Sequence, residues 1–285
     1  MRIANVTGRL TLRRDCGDTD VERASGGRFA ADPQAVFERW DEFRAWADAE
    51  PADAEATPAV TDLDALGPPS PRPRQVFAIG LNYRAHAAES GHAVPQEPPT
   101  FTKYPSSLTG PSGDIALPDG QVDWEVELVV VIGRRAHRVA AEDGWSYVAG
   151  LTVGQDISER VRQLAGPVPQ FSLAKSFPGF GPTGPELVTP DEFAHPDDLT
   201  LGCSVNDEVV QVGSTADLIF PVPELIARLS AVVTLYPGDV VFTGTPAGVG
   251  LGRTPQRFLN DGDELKTYIE GIGVMRHRFV TSTSD

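Results

Sequence analysis

Between Asp123 and Gly133 the chain reads Asp-Trp-Glu-Val-Glu-Leu-Val-Val-Val-Ile-Gly, a strict polar–apolar alternation that gives way to an unbroken aliphatic run. Alternation at period two predicts a strand with Asp123, Glu125 and Glu127 on one face and Trp124, Val126 and Leu128 on the other. The aliphatic run has no polar side, which predicts burial on both faces. The acidic ladder therefore leads into a core instead of following a solvated rim.

Elsewhere short strands alternate with turns. Residues 1–14 alternate loosely and predict a strand or hairpin. Asp32-Pro33 supplies an N-cap with proline at the first helical position, and Val36, Trp40, Phe43 and Ala47 follow at helical spacing, predicting a helix over residues 33–48. Residues 51–75 are rich in Ala, Pro and Asp, the composition of a linker or extended covering segment, with a boundary near residue 70. Residues 76–80 predict a buried strand ending at Asn82, which would cap a helix over residues 83–90. After the acidic strand come a helix near residues 140–146, a strand over 148–155 and a short helix opened by Asp156, with Arg160 and Gln163 on one side. Residues 199–211 predict a hairpin through Asn206-Asp207, and residues 223–235 a helix; turns at 236–239 and 260–263 lead into the closing strands. The expected class is α+β, mostly β, with a small N-terminal α+β domain and linker over residues 1–70 and a larger domain over 71–285.

Composition narrows the function classes. With 28 Gly and 25 Pro in 285 residues the chain is turn-rich and globular. No apolar run reaches the roughly 18 residues a membrane helix needs. Met1-Arg2-Ile3-Ala4-Asn5 lacks an apolar signal core, so a cytoplasmic enzyme is expected. Cys16 and Cys203 make neither a disulfide framework nor a metal motif. A net charge of −16 argues against nucleic acid and anionic membrane as partners, and an acidic substrate would have to be met by local positive charge. Lys103, Lys175 and Lys266 are the only lysines, so each invites a reason for its presence.

Along a strand, Glu125 and Glu127 would lie about 6.6–6.8 Å apart. Partly desolvated, their charges repel and drive one carboxyl to take up a proton. A divalent cation between them removes the conflict, with oxygen ligands at about 2.0–2.6 Å; a merely wet strand end is the competing reading. Asp156 offers a third oxygen ligand, and three carboxylates with open positions suit Mg²⁺ or Mn²⁺ in an activating site. No Cys/His cluster supports zinc. His86 and Glu89 share a helical face, either as a surface pair or as a base with its orienting carboxylate. His92, His137, His195 and His277 read as loop or surface residues. Gly244-Thr245-Pro246-Ala247-Gly248-Val249-Gly250 lacks the ending of a P-loop. It is either a tight loop or a wall of amides with the Thr245 hydroxyl beside a substrate carboxylate.

Taken in order, Gly80-Leu81-Asn82-Tyr83-Arg84-Ala85-His86, Asp123-Trp124-Glu125-Val126-Glu127-Leu128, Asp156-Ile157-Ser158-Glu159-Arg160, Ala174-Lys175-Ser176-Phe177, the run from Pro237 to Pro246 and Glu270-Gly271-Ile272-Gly273 resemble the fumarylacetoacetate hydrolase family. The resemblance spans roughly residues 75–280. It implies a mixed β-roll or sandwich core, a homodimer, and Mg²⁺, Mn²⁺ or Ca²⁺ held by Glu125, Glu127 and Asp156. It further implies that His86 and Glu89 activate water from a mobile segment and that Lys175 stabilises developing negative charge. Arg160 and Gln163 would lie nearby, with Lys103 and Thr245 in segments lining the substrate site. Two departures stand out: Val161 follows Arg160 where the family commonly has Asp, and Phe171-Ser172-Leu173-Ala174 replaces the more usual glycine before the lysine.

The activity expected from these features is metal-dependent hydrolysis of the C–C bond of a 2,4-dioxo acid (acylpyruvate, fumarylpyruvate or diketo sugar acid) to pyruvate and a carboxylic acid. Oxaloacetate decarboxylation or keto–enol tautomerisation on the same metal is the alternative. A binding protein that keeps only the scaffold is the other, disfavoured by the intact candidate ligands.

Overall fold

The aliphatic run forms the strand Val126–Ile132, buried at every position, and different layers cover its two faces. Val126, Leu128, Val130 and Ile132 pack into one apolar cluster with Leu201, Cys203, Leu265, Met275 and Phe279. Val129 and Val131 point the other way, against Phe37, Trp40 and Phe43. Period-two alternation thus feeds two cores at once, and each fully buried aliphatic side chain contributes about 1.5–3 kcal/mol.

The computed structural model describes residues 1–49 and 56–281; residues 51–55 of the predicted linker lie outside the described residues. The class is α+β, mostly β, with two large sheets. The first runs, in spatial order, through Gly17–Asp20, Arg9–Arg14, Arg2–Val6, Gly181–Val188, Val148–Gln155, Val126–Ile132, Val240–Phe242, Val76–Ile79 and Thr100–Thr102, with short strands Leu66–Gly67 and Leu108–Thr109 attached. The second runs through Glu208–Ser214, Thr200–Val205, Glu264–Ile269, Gly273–Thr281 and Ser112–Leu117. The N-terminal hairpin joins the first sheet through Arg2↔Val188 and Ile3↔Leu187. The predicted aromatic helix is a 3₁₀ turn, Ala35–Arg39, running into the helix Trp40–Ala49, and its aromatics are core. The hairpin at Asn206-Asp207 has both turn residues at positive φ, 49° and 65°, as a two-residue connection requires. No helix among the described residues is long and apolar enough to cross a membrane.

Three local expectations are corrected. The acidic ladder is not one strand: Val122–Asp123 pairs with Ser158–Glu159, and the chain then breaks before Val126. The break is stable because side chains replace the ladder. Trp124 N–H donates to Asp123 Oδ1 at 2.8 Å, Glu125 N–H to Gln155 Oε1 at 2.8 Å and Val126 N–H to Gln211 Oε1 at 2.9 Å. Asp156 does not cap the short helix Arg160–Gln163; Glu159 does, accepting from the amides of Val161 and Arg162. Asn82 does not cap Arg84–Glu89 but is a buried clamp, donating to Phe220 O and Thr243 O and accepting from Phe220 N–H.

His277, read as loop or surface, lies within Gly273–Thr281 and is 2% exposed. Its Nε2 donates to Gly110 O at 3.0 Å, which leaves Nδ1 buried without a hydrogen-bond partner. Burial pushes its pKa down to about 4. The folded chain thus keeps this imidazole neutral where the unfolded chain, with an ordinary value of about 6.5, takes up a proton. Stability is full above that value and falls as pH drops from 6.5 toward 4, by on the order of 3 kcal/mol. Urea unfolding at pH 7.0 and 4.5 should report this loss, and His277→Gln, which keeps a donor for Gly110 O, should abolish most of it. An unchanged difference in the variant would assign the acid sensitivity to other groups.

Candidate active site

Antiparallel pairing brings the carboxylates together. Val126 lies opposite Gln155 and Glu127 opposite Gly154, so the residues flanking that end of the ladder, Glu125 and Asp156, become neighbours; Asp156 N–H donates to Glu125 O at 2.9 Å. A side chain at Gly154 would put its Cβ 2.3 Å from Val129 Cγ2 and 2.9 Å from the Phe242 ring, so glycine permits this approach. The carboxylate oxygens of Glu125, Glu127 and Asp156 lie within 4.8 Å of one another, and all three residues are buried. Sequence spacing predicts this triad, and the structure assembles it.

Cations surround two of the three. Lys175 Nζ donates to Glu125 Oε2 and Asp156 Oδ2, both at 2.7 Å. Lys103 Nζ donates to Asp156 Oδ1 at 2.7 Å and to Lys175 O. Arg160 reaches Glu125 Oε1 at 2.7 Å, Asp123 Oδ2 through Nε at 2.8 Å and Gln163 Oε1 at 2.8 Å. Burial works against the charge on Glu125, but Lys175 and Arg160 outweigh it and hold the carboxyl at about 2. Lys175 is likewise held above the ordinary lysine value by Asp156 and Glu125 despite its burial. For Lys103 burial dominates and its pKa falls.

Glu127 is different. It accepts the Gly244 N–H at 2.8 Å, and no ammonium or guanidinium lies within ion-pair distance of it among the described residues. Burial first, then the charges of Asp156 and Glu125, push its pKa well above the carboxylate range. Four buried carboxylates, counting Asp123, thus face three cations. An all-oxygen donor set with one carboxylate lacking an ionic partner fits a hard divalent cation. Lys175, bridging Glu125 and Asp156, is already a cation at that junction.

The same cavity, of about 340 Å³, holds a second constellation. In the short helix Arg84–Glu89, His86 Nδ1 lies 3.0 Å from Glu89 Oε2. Glu89 Oε1 accepts from Gly248 N–H at 2.9 Å, and Gly252 has no Cβ to obstruct it, since one would sit 2.5 Å from Glu89 Cδ. Glu89 accepts the proton of Nδ1–H, which leaves Nε2 as the nitrogen of this imidazole free to take up a proton.

His86, Glu89, Glu125, Glu127, Asp156, Arg160, Gln163, Lys175 and Thr245 all line this cavity. Lys103 does not: it is fully buried behind Asp156, to whose carboxylate it donates. The glycine-rich loop departs from the anion-nest reading, because its amides serve the chain's own carboxylates. Gly244 serves Glu127, Gly248 serves Glu89, and Gly250 and Leu251 serve Asp123 at 2.7 and 3.0 Å. Thr245 lines the cavity while accepting from Gln211 Nε2 at 2.8 Å. Sequence reasoning missed the aromatic pair Phe101 and Phe171, 5.6 Å apart edge to face, and the exposed His92, all on the cavity wall. It also missed the anchoring by Asp123, Gln155 and Gln211; for Asp123 the ladder itself was the available signal.

Residues 75–280 match the fumarylacetoacetate (FAA) hydrolase C-terminal family. The mitochondrial oxaloacetate tautomerase FAHD2A of Homo sapiens is 46% identical over 214 residues, 74% of this chain and 68% of that protein. A Mycobacterium smegmatis protein of known crystal structure is 55% identical with a TM-score of 0.95, covering 99% of this chain and 100% of that one. A maleylpyruvate hydrolase from Sphingobium sp. SYK-6, solved with manganese(II) and pyruvate, is 29% identical with a TM-score of 0.81, covering 99% and 100%. The same site-bearing segments that the family match spans, residues 75–280, supply the carboxylate triad and the His–Glu pair, and the chain belongs to the fumarylacetoacetate hydrolase family.

Proposed function

We propose that the chain is a divalent-metal-dependent hydrolase that cleaves a 2,4-dioxo acid to pyruvate and a carboxylic acid. The observation that carries this reading is that the His86–Glu89 pair and the Glu125–Glu127–Asp156 triad line one cavity. Triad and dyad have separate tasks in a hydrolysis. A cation held by Glu125, Glu127 and Asp156, Mg²⁺ or Mn²⁺, would supply Lewis-acid stabilisation of negative charge at the pyruvoyl end. His86 accepts a proton from water through Nε2 while Glu89 stabilises the imidazolium, and the hydroxide equivalent adds to the distal carbonyl. The C–C bond then breaks, the acyl group leaves as its carboxylic acid, and the proton returned to carbon completes pyruvate. Lys175 holds an ammonium beside Glu125 and Asp156, where it adds to the positive field at the developing enolate.

A maleylpyruvate hydrolase among the solved relatives supports hydrolysis, and its manganese and pyruvate support the metal and the product. The 46% identity to an oxaloacetate tautomerase favours a second reading, proton transfer on a 2-oxo acid without water attack.

Protein stripped with EDTA should be inactive toward a panel of acylpyruvates and regain pyruvate release with added Mg²⁺ or Mn²⁺; turnover of oxaloacetate alone would favour the second reading. His86→Ala should lower the hydrolytic kcat by about 10²–10⁴-fold while leaving metal-dependent oxaloacetate decarboxylation near its wild-type rate, and equal loss of both would contradict the division of roles. Glu127→Gln removes the buried carboxyl that lacks an ionic partner. The metal-free variant should melt at or above the wild-type temperature, and Mn²⁺ at 100 times the wild-type Kd, which should stabilise the wild type by about 2.7 kcal/mol, should no longer raise it. A variant that still responds fully would remove Glu127 from the ligand set.

A further inference from the structure

The cavity lining is chemically mixed: besides the charged side chains named above it carries Leu81, Phe101, Leu164, Phe171, Val249 and Leu251. The two kinds meet where Lys175 Nζ lies 5.3 Å from the centre of the Phe101 ring, which stacks edge to face on Phe171. Leu164 lines the cavity while 53% exposed, an apolar surface left for a ligand to cover.

The cations on the lining are already committed. Arg160 uses its guanidinium on Asp123, Glu125 and Gln163, and Lys175 uses its ammonium on Glu125 and Asp156. Among the described residues no other Arg or Lys lines the cavity; the remaining basic groups are His86, paired with Glu89, and the exposed His92. A second carboxylate carried against these apolar side chains would lose hydration without gaining a charged partner, and binding is weakened steeply by such an unpaired charge.

We propose that the acyl end of the substrate is uncharged and apolar, and that this wall selects it against a second carboxylate. The inference rests on the 2-oxo acid being held by the charged side chains, as in the function proposed above, but not on the bond that is broken there. It places the chain among enzymes for alkyl- or aryl-substituted acylpyruvates and away from the dicarboxylic fumarylpyruvate type.

Calorimetric titration of the full-length, Mn²⁺-loaded protein with 2-oxohexanoate and with 2-oxohexanedioate compares equal chain lengths that differ in the terminal carboxylate. The titration is run at 0.5 M NaCl, where charges separated by more than about 4–5 Å are screened, so that the net charge of the protein does not decide the result. The monoacid should bind at least tenfold more tightly. Equal affinities, tighter binding of the diacid, or no binding of either overturns the proposal. Leu164→Arg, at a half-exposed position, should narrow or reverse the ratio; an unchanged ratio in the folded variant overturns the role of this wall, and the wild-type comparison decides if the variant does not fold. Binding is read without cleavage, so a protein that selects the monoacid yet cleaves no acylpyruvate separates failure of the hydrolase reading from failure of this one.

Discussion

Four carboxylates buried around one point would not fold without compensation, and the structure is arranged around supplying it. An ionised carboxylate moved out of water costs several kcal/mol unless paired and hydrogen-bonded. Lys103, Lys175 and Arg160 answer Glu125, Asp156 and Asp123, and backbone amides answer much of the rest. Glu127 keeps one amide and no ion pair among the described residues, and its raised pKa records the imbalance that a divalent cation would remove. The site is thus electrostatically incomplete in a way that specifies the charge of what completes it.

The same constraint explains the backbone around the site. Breaking the strand after Asp123 releases three consecutive amides, and Asp123, Gln155 and Gln211 take them. Gln155 and Gln211 then reach onward, to Thr267 and to Thr245 and Pro246, tying the second sheet and the glycine-rich loop to the triad. Asp123 binds Arg160 on one side and the amides of Gly250 and Leu251 on the other. Glu89 is seated by the same loop through Gly248. The helix Arg84–Glu89 and the carboxylates therefore share a frame, although they come from separate parts of the chain.

The scarcity of lysine has a physical sense here. Lys103 and Lys175 are both buried among carboxylates, while Lys266 is exposed. A compact ammonium fits between two carboxylate oxygens, as Lys175 does with Glu125 and Asp156, whereas the planar guanidinium of Arg160 spreads over Asp123, Glu125 and Gln163.

The sequence by itself determined the parts whose signal is local. The aliphatic run, the amphipathic aromatic helix and the Asn206-Asp207 hairpin follow from periodicity and turn chemistry, and the ligand types follow from acidic residues leading into apolar strands. His86 and Glu89 are three residues apart, so helical geometry alone makes them neighbours. Tertiary structure decided what depends on distant partners. The ladder breaks because Gln155 and Gln211, far along the chain, offer acceptors; the loop amides face inward because Asp123, Glu89 and Glu127 reach them first; and His277 is buried by strands it meets only after folding. Lys103 is buried behind the triad, off the cavity lining, for the same reason: hydrogen-bond competition among groups remote in sequence is settled by distance in the folded chain, which periodicity does not encode.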